Sequence, residues 1–404
     1  MLALLTCCCA GESSDSAAAD AEQPVRVELR WRLAPASEEY VCRYFVVPDA
    51  GLDVVRAGYE LGPRSHHLLL WSTSLGAEAV DGSEQVIRNC DRDAESHAAI
   101  DGLLLGAQPG AASFSFPSGA ALRLRGGQVL LVEQHAINAA TEPAEVSATL
   151  SFHPARAPIS MEVGLLHYYN WAIHVSPASE ATTRMRCALP ENVRLLFAHG
   201  HMHARGTSFR AWTTQRGESD PFYLSSAGDA VPTALVPVVD VPAGDGIEFE
   251  CAYANRDALS VYQGLSANED EMCSFTAFYL GAAGRRMDLS AEVCAERGSG
   301  VIGQGALDCH GIESCVSGVL ATIADPVLQM HATQDCWLAG CASATLTFRD
   351  FAFCRATHCA EACGVTAQSA GLLAAQASEP GCLSCLQSSC AAISQSCATS
   401  ACEV

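Results

Sequence analysis

From Val25 onward the chain alternates hydrophobic and polar residues in short segments such as VRVELRWRL, YVCRYFVV and QVLLVEQH. Clusters of Gly, Pro, Asp and Ser separate these segments, and a second set with the same pattern runs from VRLLFAH to CSFTAFYL. Because side chains alternate between the two faces of a strand, this pattern is typical of half-buried β-strands. Regular spacing with almost no helical periodicity predicts two tandem antiparallel β-sandwiches of jelly-roll-like type.

The pattern changes near Arg297, where Ala- and Leu-rich segments with closely spaced cysteines predict a small disulfide-rich helical module. We therefore expect four regions: a signal or lipoprotein remnant with a flexible tether (1–24), two β-sandwiches (25–156 and 157–296) and the cysteine-rich module (297–404). A length of 404 residues agrees with several domains, because a single hydrophobic core stops growing well below that size.

The composition argues against one class of partner and indicates the compartment in which the chain folds. The formal net charge is -22, and the absence of a basic stripe argues against a nucleic-acid partner. The chain has 21 cysteines, a number typical of disulfides formed in an oxidising compartment. Twelve of them crowd the tail, where they divide into two six-cysteine units, Cys309 to Cys359 and Cys363 to Cys402. Each of these cysteines is expected to bridge to a neighbouring helix.

The N-terminal residues MLALLTCCCA resemble the end of a bacterial lipoprotein signal, although the usual basic segment before the apolar run is missing. This predicts an exported protein, either secreted or attached to the cell envelope through a lipidated cysteine among Cys7, Cys8 and Cys9. The alternative is an unstructured N-terminus that carries unpaired thiols.

Six of the 13 histidines occur in a pattern that composition does not explain. His66 and His67 are adjacent in GPRSHHLLLW, His135 ends the apolar segment LLVEQH, and His199, His201 and His203 alternate in FAHGHMHARG. In a strand His201 and His203 point the same way and offer a chelate for a borderline or soft metal. His66 and His67 would point to opposite faces, so they can share one metal only if the backbone bends there. Any one of these histidines alone would be as well explained by packing in a core.

The order HH, lone His, HxH and then Met beside Cys resembles the copper type II, ascorbate-dependent monooxygenases. The resemblance covers roughly residues 25 to 295 and includes Gly206, three residues after HxH. Its most specific part is the stretch CAYANRDALSVYQGLSANEDEMCSF, which is similar to a segment of that family running from a cysteine to (D/E)EMC.

The resemblance implies two separate copper sites and a reaction. His66, His67 and His135 would hold an electron-transferring copper, and His201, His203 and Met272 would hold a second copper where oxygen binds. The protein would use two coppers per chain, O2 and a reductant such as ascorbate to hydroxylate a C–H bond of a small organic substrate. A thioether favours Cu(I), which suits the role of Met272; without the EMC context, Met272 would be read as a core residue.

The resemblance also implies three disulfides, Cys42–Cys90, Cys187–Cys294 and Cys251–Cys273, and places Tyr40 near the first copper. Several positions depart from the family. A further bridge after HH is missing, because that position is Thr73. The peptide-hydroxylating members use Arg, Asn and Tyr to grip a substrate carboxylate, where this chain has His199, Ser274 and Thr276. A peptidylglycine substrate is therefore not expected. His199 itself stays open between a spare ligand, a base beside the site and a surface residue.

Other functions remain open from the sequence alone. The chain could be a non-catalytic exported copper-binding protein that has lost turnover, or a surface structural protein that works through its cysteine-rich tail. A mononuclear zinc hydrolase at HGHMH is a weaker alternative, since no neighbouring carboxylate base is evident. The substrate, the physiological reductant and the oligomeric state cannot be read from the sequence.

Overall fold

A computed structural model describes residues 23–80, 86–90, 100–170, 173–226, 234–264, 266–282, 284, 293–297, 303, 305–363 and 380–402. Strand makes up 48% of the chain and helix 21%, and the helices are concentrated in the C-terminal region. The predicted class, two antiparallel β-sandwiches followed by a disulfide-rich helical module, is confirmed. Cys7, Cys8, Cys9 and the predicted tether up to residue 22 lie outside the described residues.

The first sandwich is formed by strands β1 to β10. They are β1 (Val25–Leu33), β2 (Ser37–Val46), β3 (Leu52–Leu61), β4 (Ser65–Thr73), β5 (Ile87–Arg88), β6 (Ile100–Ala107), β7 (Gly110–Ser115), β8 (Ala120–Leu124), β9 (Val129–Asn138) and β10 (Ala144–Pro154). One sheet has the order β5-β2-β9-β4-β6, and β1, β10, β3 and β8 form part of another, with β7 paired to β3. Alternation is clearest in β1, where every second residue from Val27 to Leu33 is buried.

The second sandwich is formed by strands β11 to β21. They are β11 (Met161–Tyr169), β12 (His174–Val175), β13 (Ser179–Ala188), β14 (Val193–His201), β15 (Gly206–Thr213), β16 (Tyr223–Ser225), β17 (Ala234–Val241), β18 (Gly246–Asn255), β19 (Val261–Tyr262), β20 (Ser274–Gly281) and β21 (Val293–Arg297). One sheet has the order β16-β15-β18-β13-β21, and the other has the order β11-β20-β14-β17.

The two sandwiches are joined through one continuous sheet. Strand β8 of the first pairs in parallel with β11 of the second, with Met161 opposite Ala120, so the order β1-β10-β3-β8-β11-β20-β14-β17 spans both units. Phe197 and Phe278 of the second unit are part of the hydrophobic core of the first. The face that β14 and β20 turn toward the first sandwich is therefore buried.

Helices α1 to α6 form the cysteine-rich module. They are α1 (Cys309–Thr322), α2 (Pro326–Leu338), α3 (Ala342–His358), α4 (Ala360–Cys363), α5 (Pro380–Ser389) and α6 (Ala391–Thr399). The predicted helical segment CVSGVLATIA is largely in α1, whereas AGLLAAQAS lies outside the described residues. None of the helices within the described residues is long and apolar enough to cross a membrane.

Six disulfides join the helices, as expected, but they do not respect the two predicted units. The pairs are Cys309–Cys397, Cys315–Cys336, Cys341–Cys402, Cys354–Cys390, Cys359–Cys385 and Cys363–Cys382. Four of the six bridges run from the first predicted unit to the second. The expectation of two separate six-cysteine units is therefore wrong, because the helices fold over one another around a single core.

The expected disulfides Cys42–Cys90 and Cys251–Cys273 are confirmed in the sandwiches. Cys187 is also disulfide-bonded, and the backbone of Cys294 lies opposite it in the pairing of β13 with β21. The Cys294 side chain lies outside the described residues, so the Cys187–Cys294 pair stays a prediction. The exact domain boundaries of the sequence analysis stay predictions as well.

Candidate metal centre

The first ligand set lies in one row across three adjacent strands. His135 of β9 pairs with Tyr40 of β2 on one side and with His67 of β4 on the other. Tyr40 stacks on His135 with ring centroids 4.0 Å apart and an interplanar angle of 8°, and it meets His67 edge-on at 6.0 Å. Tyr40 therefore lies beside the first set, as the resemblance implied.

A β-bulge brings His66 to the same place. Ser65 pairs with Ala136 and His67 with His135, so that two steps along β4 correspond to one step along β9. His66 is the extra residue, and such a residue bends the strand and redirects its side chain. The ring of His66 lies 5.3 Å from that of His67 and 5.1 Å from that of His135. The bend that the adjacent histidines required is present.

The second ligand set begins at the end of a strand. His201 is the last residue of β14, and His203 follows in the turn that leads to Gly206 of β15. Both imidazoles are buried, and their ring centroids are 5.2 Å apart. Met272 is buried too, next to the Cys251–Cys273 disulfide, and its carbonyl oxygen accepts a hydrogen bond of 2.9 Å from the Tyr253 hydroxyl.

The two sets adjoin instead of lying apart. The ring of His66 is 5.5 Å from His201 and 5.6 Å from His203, and His67 is 5.2 Å from His201. Ligand atoms of His66, His67 and His135 all lie within 4.8 Å of one another, and the same holds for His66, His201 and His203. His66 is therefore common to both triads of the five-histidine cluster.

The donor atoms in the cluster fit a metal. The buried nitrogens without a hydrogen-bond partner are Nε2 of His66, His201 and His203 and Nδ1 of His67 and His135. A buried polar atom that lacks a partner is costly, and a bound cation would satisfy it. Three imidazoles, or two with a thioether, are donors that suit copper. The residues present therefore fit the metal that the resemblance implies.

Four of the imidazoles also have the protonation state that metal binding needs. Burial, together with the neighbouring imidazoles, lowers the pKa of His66 to about 4 and that of His203 to about 3. Burial and the same neighbours hold the pKa of His67 and of His201 well below the usual value. At neutral pH these rings are uncharged and keep the lone pair that a metal needs.

Two side chains of the first sandwich orient the rings. His135 Nε2 donates to Glu38 Oε1 at 2.7 Å, which leaves Nδ1 to face the cluster. Burial alone would raise the pKa of Glu38, but its bonds to His135, to the Ala267 amide and to Ser266 lower it to about 2. Gln108 lies 2.9 Å from His201 Nδ1, and its amide can turn to accept the Nδ1 proton. Such partners fix the tautomer and the angle of a ligating ring.

The turn before Met272 holds His203. His203 Nδ1 donates to the Asp270 carbonyl oxygen at 3.1 Å, and the His203 amide donates to Glu271 Oε2 at 2.9 Å. The Arg205 amide donates to the other oxygen of the same carboxylate at 2.6 Å. Burial raises the pKa of Glu271 to about 7 despite these bonds. Residues 270–272 thus carry one expected ligand and position another.

A row of polar side chains continues from the cluster into the space between the two sandwiches. His199, Thr276 and His167 pair across β14, β20 and β11, and His167 Nδ1 lies 3.0 Å from the Thr276 hydroxyl. Trp71 of the first sandwich meets His167 edge-on at 6.4 Å. His199 packs against Gly106, where a Cβ would come within 3.1 Å of its ring. His199 is therefore a buried residue of this row, which excludes the surface alternative.

The structure brings together the five expected histidines, and it places Met272 in the turn that holds His203. Sequence reasoning missed Glu38, Gln108, Asp270 and Glu271, which support the rings. For Glu271 the sequence did carry a signal, because the (D/E)EMC pattern includes an acidic residue directly before the methionine. Glu38 and Gln108 carried no signal, because each is a single polar residue in an otherwise ordinary segment.

Residues 161–303 match the family model of the C-terminal domain of copper type II ascorbate-dependent monooxygenases. The match covers the second sandwich, including His201, His203 and Met272, and it confirms the expected relation to this family. The second sandwich is therefore similar to the C-terminal domain of that family. The many disulfides and the family together indicate an extracellular or secreted protein.

No curated protein matches the chain. Among solved structures, recombinant peptide:N-glycanase F is 9% identical with a TM-score of 0.33 and covers 68% of this chain and 99% of that chain. PBSX exported protein XepA is 6% identical with a TM-score of 0.17 and covers 56% and 86%. Vicilin from Solanum lycopersicum (tomato) is 8% identical with a TM-score of 0.18 and covers 67% and 76%. Similarity at this level supports no conclusion about function.

Proposed function

We propose that the protein is an exported copper-dependent monooxygenase that hydroxylates a C–H bond of a small organic substrate with O2 and a one-electron reductant such as ascorbate. The observation that carries this proposal is the set of five buried imidazole nitrogens without partners, gathered into one cluster in which His203 is hydrogen-bonded to the turn that carries Met272. His66, His67 and His135 would hold one copper, and His201, His203 and Met272 would hold the other. When bound, copper supplies one-electron redox chemistry and the activation of dioxygen.

The chain's own residues orient the ligands and shield them from water. Glu38 and Gln108 hold His135 and His201 in fixed orientations, and the turn 270–272 does the same for His203. Burial of the cluster between the two sandwiches keeps bulk water away from it. The buried thioether of Met272 is a soft donor that favours Cu(I). A fixed, shielded donor set of this kind is what oxygen chemistry at a metal requires.

The polar row beyond His201 is where we place the substrate. His199, Thr276 and His167 form this row, and it contains no arginine or lysine to grip a carboxylate. Burial lowers the pKa of both His167 and His199 to about 4, so the row is uncharged at neutral pH. We infer a small substrate without a carboxylate at the reacting end, held by hydrogen bonds and by contact with Trp71.

Copper stoichiometry together with oxygen uptake tests this function. Reconstituted full-length protein should hold two coppers per chain and consume O2 with ascorbate faster when an uncharged substrate is present. Met272→Ala should weaken copper(I) binding at one site by at least ~10-fold and abolish substrate-dependent uptake, because the soft donor is lost. His310→Ala, at a side chain that is 77% exposed in the helical module, is the matched control.

The outcomes separate the alternatives. One copper or none in well-folded protein contradicts the two-site proposal. Two coppers without substrate-dependent uptake across a broad set of uncharged compounds would favour the non-catalytic copper-binding protein. Attachment to the envelope through Cys7, Cys8 or Cys9 is a separate proposal, tested by the mass of the mature N-terminal peptide. A peptide without an acyl group contradicts it.

A further inference from the structure

Helix α2 of the cysteine-rich module lies against the loop that leads to Met272. His331 Nε2 donates to Asp270 Oδ1 at 2.9 Å, and its ring stacks on Tyr262 with centroids 4.8 Å apart. Gln334 makes a reciprocal pair with the backbone of Gln263, accepting from the amide at 3.0 Å and donating to the carbonyl at 2.7 Å. The helix therefore binds both arms of the loop 262–272.

Three of the four side chains in this contact are almost fully buried, and His331 is 25% exposed. Gln263 and Gln334 are each 1% exposed and Asp270 is 2% exposed. Removing one partner from a buried pair leaves the other unsatisfied, so such bonds hold their geometry firmly. At Gly264 a Cβ would come within 2.1 Å of Asp270 Oδ2 and 2.7 Å of the Met330 methyl group, so the glycine lets both Asp270 and the helix pack close to the loop backbone.

Asp270 connects the helix to the metal ligands. Its side chain accepts from His331, while its carbonyl oxygen accepts from His203 Nδ1 at 3.1 Å. Two further backbone bonds tie the loop together, from the Glu271 amide to the Tyr262 carbonyl and from the Gly264 amide to the Glu271 carbonyl. A shift of helix α2 would therefore be transmitted to the ring of His203 and to the backbone beside Met272.

The helix itself is fixed by the disulfides of the module. Cys336, two residues after Gln334, is bonded to Cys315 of α1, and Trp337 is buried in the core of the module. The hydrogen bonds described for α2 reach Gln263 and Asp270, and none of those described reaches a ring of the first ligand set. The direct path of this support leads through Asp270 to His203. Ser266 and Ala267 of the same loop donate to Glu38, the partner of His135.

We propose that the cysteine-rich module is a positioning element for the second ligand set, with His331 and Gln334 as its positioning residues. The inference rests on the proposed function insofar as that set binds copper. A ligand carried on a loop keeps its geometry only if neighbouring groups hold the loop, and here those groups come from a separate, disulfide-bonded unit. This gives the tail a role in the metal chemistry.

The test compares four variants of the full-length protein. His331→Phe keeps an aromatic ring for stacking on Tyr262 but removes the donor to Asp270, and Gln334→Leu removes both bonds to Gln263. His331→Gln restores an amide donor at a similar distance from the backbone. His310→Phe is the control on an exposed face of helix α1. Two readouts are needed: amide hydrogen exchange of residues 269–273 in metal-free protein, and copper(I) affinity by competition with a chelator.

We expect His331→Phe and Gln334→Leu to speed exchange in the loop and to weaken one of the two copper sites by roughly 10-fold, the range for a group that orients a ligand. The sulfur contribution to the copper X-ray absorption spectrum should fall in parallel, because Met272 is on the same loop. His331→Gln should recover most of the affinity, and His310→Phe should match wild type.

Three results would overturn the inference. The first is wild-type copper affinity at both sites in both loop-directed variants. The second is an equal loss of affinity at both sites, which would indicate general destabilisation instead of positioning. The third is unchanged exchange in the loop of metal-free protein. That last readout needs no copper, so it decides the positioning role even if wild-type protein binds no metal and the proposed function fails.

Discussion

The two ligand sets differ in what holds them. His67 and His135 are in the middle of paired strands, flanked by Tyr40 in the same row, and a single bulge adds His66. His201 is at the last position of a strand, and His203 and Met272 lie outside regular structure. Backbone pairing places the first set and Glu38 orients one of its rings, whereas the second set is held by side chains of the first sandwich and by a loop that the helical module contacts. One half is thus held mainly by the sheet and the other mainly by side-chain hydrogen bonds.

The largest expected effect is the loss of a ligand, which tests whether the halves are independent. His67→Ala should weaken the first site by at least ~100-fold, above the effect of a supporting group, and leave the second near wild type. His203→Ala should do the reverse. Copper per chain and chelator competition report both. If either variant loses both coppers while it remains folded, the cluster is one shared site.

The next largest effect concerns how the free energy of unfolding of metal-free protein depends on pH. Folded-state pKa values of about 4 for His66, His167 and His199 and about 3 for His203 lie below the unfolded value of 6.5. As pH falls below 6.5 the unfolded chain takes up protons first, so stability falls until the folded-state values are reached. At pH 5 each such group costs on the order of 2 kcal/mol.

Glu271 opposes this trend, because its folded-state pKa of about 7 lies above its unfolded value, and protonation favours the folded state there. One such group offsets only part of the effect of several histidines. Urea midpoints at pH 7.5 and pH 5, with and without copper, provide the measurement. Metal-free stability that does not change between these pH values would show that the rings are solvated and that the buried cluster is wrong.

The smallest expected effect comes from changing the side chains that orient the ligands, and it tests whether the two sets have different supports. Gln108→Leu should weaken only the second site, by roughly 10-fold, because His201 loses the amide that orients it. Glu38→Gln should weaken only the first, by less, because the amide oxygen can still accept from His135. Chelator competition measures both. Equal effects of the two variants at both sites would contradict the view that each half has its own support.

The sequence predicted more of the first set than of the second. Strand periodicity indicated the sheets, and the conflict between adjacent His66 and His67 required the bend that the bulge provides. For the second set, alternation correctly paired His201 with His203, but the strand ends between them. What fixes His203 is Asp270, more than sixty residues away in the chain, and hydrogen bonds to a backbone carbonyl have no sequence signature.

The helical module shows the other limit of sequence reasoning. Even numbers of cysteines indicated disulfides, and the bridges between helices were expected. The pairing was not readable, because spacing along the chain does not determine which helices pack together. Cys354–Cys390 and Cys359–Cys385 both cross the expected boundary between two units. The contact of His331 with Asp270 was equally invisible, since it depends on how the module docks.

The long-range bridges of the module also set an order of assembly. Cys309–Cys397 joins residues 88 positions apart and spans helix α2. Cys341–Cys402 joins residues 61 positions apart and spans helices α3 to α6. During synthesis, both sandwiches and all six ligand positions emerge before the cysteines that complete these bridges. Cys315–Cys336 can join helix α2 to α1 earlier, but the rest of the module closes only when Cys397 and Cys402 are oxidised. Metal loading in the proposed form would follow oxidation, which ties the maturation of the copper centre to the redox state of the compartment where the chain folds.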